Sequence, residues 1–120
     1  MMYIKILKWL SVFSQEAELI VTDDNYSCLA FSQPCNYKQG DILHEPLHGF
    51  IVENLMLSNK QELRIDNIKN FQHKIIARII NFDEDLVEVG DIHIKLDDNI
   101  PSWAKDGDYI EFNCSRLDVW

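Results

Sequence analysis

The sequence predicts a single all-β domain, residues 1–120, folded as a small antiparallel barrel or half-closed sandwich. The expected form is OB-like, with roughly six to eight strands and at most a short helix. Three observations point there. Apolar and polar residues alternate with a period of two, as in EAELIVT and DLVEVGDIHIKL. The same runs are rich in Ile, Val, Tyr and Phe, which pack well on a pleated surface. Between them stand Asp-Asp-Asn and Gly-Asp pairs, residues that form tight turns and cap them with their own side chains.

Residues 1–13 carry two patterns. Tyr3, Leu7, Leu10 and Phe13 fall on one helical stripe, yet IKILKWLSVF has the composition of a strand, and a strand is expected. EAELIVT and YSCLAF follow as a hairpin joined through Asp23, Asp24 and Asn25. SQPCNYKQGD is a turn region, and FIVENLML opens a new strand after Gly49. ELRIDNI is a shorter candidate, while HKIIARIINF is the most apolar run and is expected to cross the core. DLVEVGDIHIKL supplies two strands around Gly90, SWAKDG after Pro101 reads as one helical turn, and GDYIEFNCSRLDV closes the chain. The recurrence of Asp-Asp-Asn and Gly-Asp reads either as an old duplication or as one turn chemistry chosen repeatedly.

Residues 44–48, HEPLH, match the H-E-x-x-H pattern of zinc hydrolases. That pattern works on a helix, where histidines four apart share a face and reach one ion. Pro46 removes a helical hydrogen bond and turns Glu45 away from helical angles. In an extended chain His44 and His48 stand roughly 13 Å apart, too far for one metal. They are read as turn or surface residues, and no metal or cofactor is expected.

Eleven basic residues face 20 acidic ones, for a formal charge of −9. Such a field repels nucleic-acid phosphates and anionic lipid and attracts basic proteins, besides favouring solubility. Cys28, Cys35 and Cys114 are odd in number and lack metal or redox spacing, so free thiols in a reducing, cytoplasmic setting are expected. The first fifteen residues lack the long apolar region and small-residue cleavage site of a leader peptide.

No serine sits in a G-x-S-x-G elbow, and no Gly-rich loop joins a strand to a helix, so no catalytic residues are assigned. A Cys–His dyad assembled in space is the one nucleophilic arrangement left open. The densest candidate is the acidic tract at 83–98, read as an interaction rim or as a solvated one.

The run VEVGDIHIKLDDNIPSWAKDGDYIEFNCSRLDVW contains Gly90-Asp91, Ile100-Pro101, Gly107-Asp108 and Arg116-Leu117-Asp118. It resembles small cytosolic bacterial β proteins, including immunity proteins of polymorphic and contact-dependent toxin systems. The likeness covers residues 73–120 best and the AELIVTDDNYSCLAF hairpin less well, and its motifs are structural. It implies a barrel-like fold and stoichiometric binding to a cognate basic toxin domain, a nuclease by the charge argument, whose substrate cleft is occluded. The partner-binding residues expected on this reading are Asp83, Asp85, Glu88, Asp91, Asp97 and Asp98, with Trp103 and Tyr109 as apolar anchors. The alternatives are a small barrel that binds single-stranded nucleic acid or other proteins, and a soluble β domain of unassigned role.

Overall fold

The structure, a computed structural model, describes residues 1–120. Nine strands form: β1 (Tyr3–Ser11), β2 (Glu16–Thr22), β3 (Ser27–Ser32), β4 (Leu47–Leu57), β5 (Arg64–Lys69), β6 (Gln72–Asn81), β7 (Leu86–Val89), β8 (Ile92–Leu96) and β9 (Tyr109–Asp118). The only helical element is a single 3-10 turn, Phe82–Glu84. The domain is all-β, as expected, with more strands than the six to eight read from the sequence. Both short or ambiguous segments, residues 1–13 and ELRIDNI, fold as strands. SWAKDG is not helical. Ala104 donates to the Pro101 carbonyl and Asp108 to the Lys105 carbonyl, closing two separate turns, and Gly107 takes a φ of 90° within the second.

Five strands close a barrel. β6, β7 and β8 form an antiparallel meander, β9 pairs antiparallel with β6 on one side and β4 on the other, and β4 pairs parallel with β8. Closure runs through Leu47, His48 and Gly49 opposite Ile94, Lys95 and Leu96. Gly49 was expected to be a turn residue, but it lies inside β4. A Cβ there would meet the Ile94 Cγ2 at 3.2 Å, so the glycine admits β8 rather than bending the chain.

β1, β2 and β3 form a second meander, joined to the barrel by one parallel bridge between Phe31 and Asp118. The inward residues of both parts merge into one apolar cluster of 26 side chains, so meander and barrel share a core. Phe112, Ile4, Leu19, Ile75, Ile79, Ile94 and Leu117 are among its largest fully buried members. Each such side chain contributes about 1.5–3 kcal/mol by leaving water.

Two polar staples reinforce the joint. His73 on β6 is fully buried, and its Nε2 accepts the Leu29 amide of β3 at 3.1 Å. Its Nδ1 lies 2.9 Å from the Phe71 carbonyl oxygen. An amide only donates and a carbonyl only accepts, so the neutral ring carries its proton on Nδ1. Burial holds the His73 pKa below the ordinary imidazole value, against the raising effects of the Phe71 carbonyl and Asp66. Asp23 is the second staple. One carboxylate oxygen accepts the Asn25 and Tyr26 amides at 2.9 and 2.7 Å, and the other accepts Asp91 at 2.8 Å, tying the β2–β3 turn to the β7–β8 turn. Gly90 fits between them with a φ of 59°, where a Cβ would stand 2.5 Å from the Asp23 Oδ2 and 2.8 Å from the Tyr26 ring.

Gly90→Ala therefore combines a left-handed backbone with a steric clash. We expect a loss of about 2–4 kcal/mol in denaturant unfolding, against almost none for Gly40→Ala beyond its own backbone strain. The second expectation follows from His73. Its folded pKa is depressed, so the unfolded chain binds the proton first. Its stability contribution is complete above the unfolded value of about 6.5 and is lost as pH falls from there through the folded value. Thermal unfolding between pH 7.5 and 5 should show a steeper decline for the native protein than for His73→Gln, which cannot titrate. Equal slopes would remove His73 from the acid response.

Candidate partner-binding surface

The strands divide the acidic tract. β7 and β8 run between two ends of the barrel, so the residues before β7 and after β8 meet at one end while Gly90 and Asp91 mark the other. Asp83, Asp85, Asp97 and Asp98 gather at the first end, together with Glu84 and with Asp106 and Asp108 from the β8–β9 loop. Hydrogen bonds weave this end together. Leu96 donates to the Asp85 carbonyl at 2.9 Å, Ile100 to the Asp85 carboxylate at 2.8 Å, and Phe82 to the Asp106 carboxylate at 2.7 Å. Trp103 sits half exposed on the same loop, between Asp98 and Asp106.

Two of the remaining expected residues, Glu88 and Asp91, lie elsewhere. Glu88 is engaged mid-strand with Arg78 at 3.0 Å and His93 at 3.7 Å. Asp91 pairs with the Met1 amino group at the opposite end. Tyr109 opens β9 opposite Arg78 and is partly buried. The structure thus brings Asp83, Asp85, Asp97, Asp98 and Trp103 together and separates them from Glu88 and Asp91, while Tyr109 follows Asp108 at the border of the acidic end.

Two of the gathered acids are also architectural. Asp85 has a φ of 54°, and its side chain holds the Ile100 amide. Asp97 donates its own amide to the Gly49 carbonyl and accepts the Ile51 amide at 3.0 Å, clamping β4 where it parts from β8. Ile51 has a φ of 55°, a strained angle for a β-branched residue. Asp83 and Glu84 are exposed and hold no backbone donor through their carboxylates. None of the acids at this end forms an ion pair, because the five salt bridges all involve other carboxylates.

Beside the acidic end runs a strip of rings that sequence reasoning missed. Phe71 meets Phe31 edge-on with centroids 5.9 Å apart, and the Arg116 guanidinium lies 4.6 Å from the Phe31 ring and 5.8 Å from Phe50. Phe50 is 6.3 Å from Trp120, which stacks on His48 at 3.4 Å. Two nitrogens of Arg116 bond the two Asp118 carboxylate oxygens at 2.6 and 2.8 Å. Period-two alternation places Phe31, His48, Phe50 and Arg116 on outward faces. What the linear text lacks is the pairing that sets Phe50 against Arg116 and His48 against Asp118.

The HEPLH segment is not a helix. It runs irregularly through a bend at Glu45 into β4, and His48 stacks on Trp120. No group of three or more His, Cys, Asp or Glu side chains is placed to hold a metal ion. All three cysteines are unpaired and buried. Burial, then Cys114 and Asp23, pushes the Cys28 thiol far up, and burial pushes Cys114 up to about 12. His73 lies opposite Cys114, but both ring nitrogens are committed to backbone, so this pair lacks a free base. No helix is long and apolar enough to cross a membrane.

One further surface is apolar. The β1–β2 hairpin tip exposes Trp9, Leu10, Val12 and Phe13, the last at 98%. No protein-family model matches this chain, and neither a curated protein nor a solved structure matches it.

Substitution separates the architectural acids from the free ones. Asp85→Ala should cost about 2–3 kcal/mol, from a left-handed alanine and a lost amide acceptor, and Asp85→Asn much less. Asp98→Asn should leave the unfolding midpoint within about 0.5 kcal/mol of native. Chemical denaturation of the three variants checks the contrast.

Proposed function

We propose that this domain is an immunity-type protein that binds a basic toxin domain in the cytoplasm, a nuclease by charge, and occludes its substrate cleft. The observation that carries the reading is the acidic barrel end, where carboxylates from three separate chain segments meet without a pairing cation. A net charge of −9 extends the same field over the surface. Such a field steers a basic partner in and competes with the phosphates that the partner's cleft would hold. Asp83, Glu84 and Asp98 supply the steering charge. Asp85 and Asp97, fixed by backbone amides, supply rigid acceptors, and the adjoining rings supply the desolvated anchors that dominate binding energy. The resemblance of residues 73–120 to immunity proteins adds the class of partner.

A second reading draws on the same strip of rings, because stacked aromatics also bind single-stranded nucleic acid. Its cations count against it. Arg116 is neutralised by Asp118, and Lys95 lines a cleft with Asp85 and Asp97.

The proposal expects a secreted toxin to be encoded directly upstream of this gene, and the test uses the C-terminal domain of that neighbouring product. Binding should be stoichiometric, should abolish that domain's activity, and should slow with added salt. Changing Asp83, Glu84 and Asp98 together to amides should reduce the association rate about tenfold at low salt, with little change in fold. No binding to the toxin domain, or tight binding to a single-stranded oligonucleotide instead, would overturn the proposal.

A further inference from the structure

Where the strip of rings meets the acidic end, a cleft of about 440 Å³ opens between β4, β8 and Trp120. It is lined by His48, Phe50 and Trp120, by the carboxylates of Asp85 and Asp97, and by Lys95, which stands opposite His48 in the β4–β8 ladder. We propose that this cleft is the receptor for an arginine side chain of the protein partner. The proposal rests on the reading above and names the chemistry by which that surface recognises its partner.

The walls are prepared for such a group. Trp120 is 69% exposed, yet its position is set on two sides: His48 covers one face of the indole, and the Tyr37 hydroxyl donates to the Trp120 carbonyl. The carboxylates are fixed as well. One oxygen of Asp85 accepts the Ile100 amide and one oxygen of Asp97 accepts the Ile51 amide, while the second oxygen of each makes no hydrogen bond within the chain. A ligand therefore meets acceptors and an aromatic surface that need little ordering.

The chain itself shows what such walls hold. One strand away, Arg116 is seated between the rings of Phe31 and Phe50 while Asp118 grips its fork. The cleft repeats that arrangement, sharing Phe50 and replacing Asp118 with Asp85 and Asp97, but no guanidinium of the chain enters it. Lys95 forms no ion pair with either carboxylate. An ammonium also lacks the planar fork that can lie on a ring and bond a carboxylate edge at once. His48 adds no competing charge at neutral pH, since burial and then Lys95 lower its pKa.

The experiment needs no toxin. Two end-blocked glycine pentapeptides, one with a central arginine and one with a central lysine, are titrated into the full chain and followed by amide and indole NMR shifts. The arginine peptide should give saturable shifts at the Trp120 indole, His48 and Asp97, at least about fivefold tighter than the lysine peptide. Trp120→Ala and Asp97→Asn should each weaken it about fivefold, the latter retaining an acceptor for Ile51. Lys95→Ala should tighten it about threefold by removing a like charge. Equal affinity for the two peptides, indifference to Trp120→Ala, or absence of saturable shifts would overturn the cleft assignment. Arginine binding without any toxin partner would leave the cleft standing and remove the immunity reading. Toxin binding unaffected by Trp120→Ala and Asp97→Asn would do the reverse.

Discussion

The close approach of β4 and β8 at Gly49 is the constraint from which the rest of the molecule follows. Barrel closure requires a parallel pair here, in a sheet otherwise almost wholly antiparallel, and the Ile94 side chain occupies the space a Cβ would need. Only three residues of β4 keep this pairing before the strand continues along β9 alone. The parting has to be held. Asp97 does so with its amide on the Gly49 carbonyl and its carboxylate on the Ile51 amide, across a residue forced to a φ of 55°. Strain of that kind costs on the order of 1–3 kcal/mol and persists only where surrounding bonds fix it. His48 and Phe50 reach the surface beside this point by alternating with the inward Leu47 and Gly49.

A second constraint concerns the three-stranded meander, which has only one ladder bridge to the barrel. Apolar contact alone would allow it to slide, because hydrophobic burial has no direction. The directional bonds lie in His73 to Leu29, in Ser32 to the Val119 carbonyl at 2.9 Å, and in Asp23 across two turns. No buried side-chain polar atom is left without a partner, so these polar insertions do not carry an unpaired desolvation cost.

How much of this was legible in the sequence depends on the range of the cause. Local causes were readable: alternation gave β2, β3, β6, β8 and β9, Asp23 with Asn25 gave a turn, and Pro46 ruled out a helical HEPLH. SWAKDG misled because Pro101 and a short polar run suit a helical start, while the carboxylate of Asp108 drew the Lys105 amide into a separate turn at 3.1 Å. Gly49 misled because a glycine needed for close packing is spelled like one needed for a turn. The acidic tract was visible as composition, but its division between two barrel ends depends on β7 and β8 forming a hairpin between them. The ring strip was hidden most fully. Its members come from β3, β4, β9, the residues after β9 and the β5–β6 turn, and only the non-local pairing of β9 aligns them.

The acidic residues at the barrel end show how one side chain serves fold and surface together. A carboxylate has two oxygens, and a backbone amide occupies only one of them. Asp85, Asp97 and Asp106 each use one oxygen to hold a backbone amide. Neutral amides at these positions would satisfy the backbone almost as well, since asparagine also offers an oxygen. The loops therefore do not demand seven acids at one end of the barrel. Seven acids gathered with only Lys95 and Lys105 beside them, neither in an ion pair, repel one another, a cost that folding alone gives no reason to retain. On the proposed function, a cationic partner that brings its own guanidinium or ammonium groups would remove that repulsion on binding. It would also find half of each carboxylate already oriented, so the entropy of ordering those side chains would be lost in folding rather than in association.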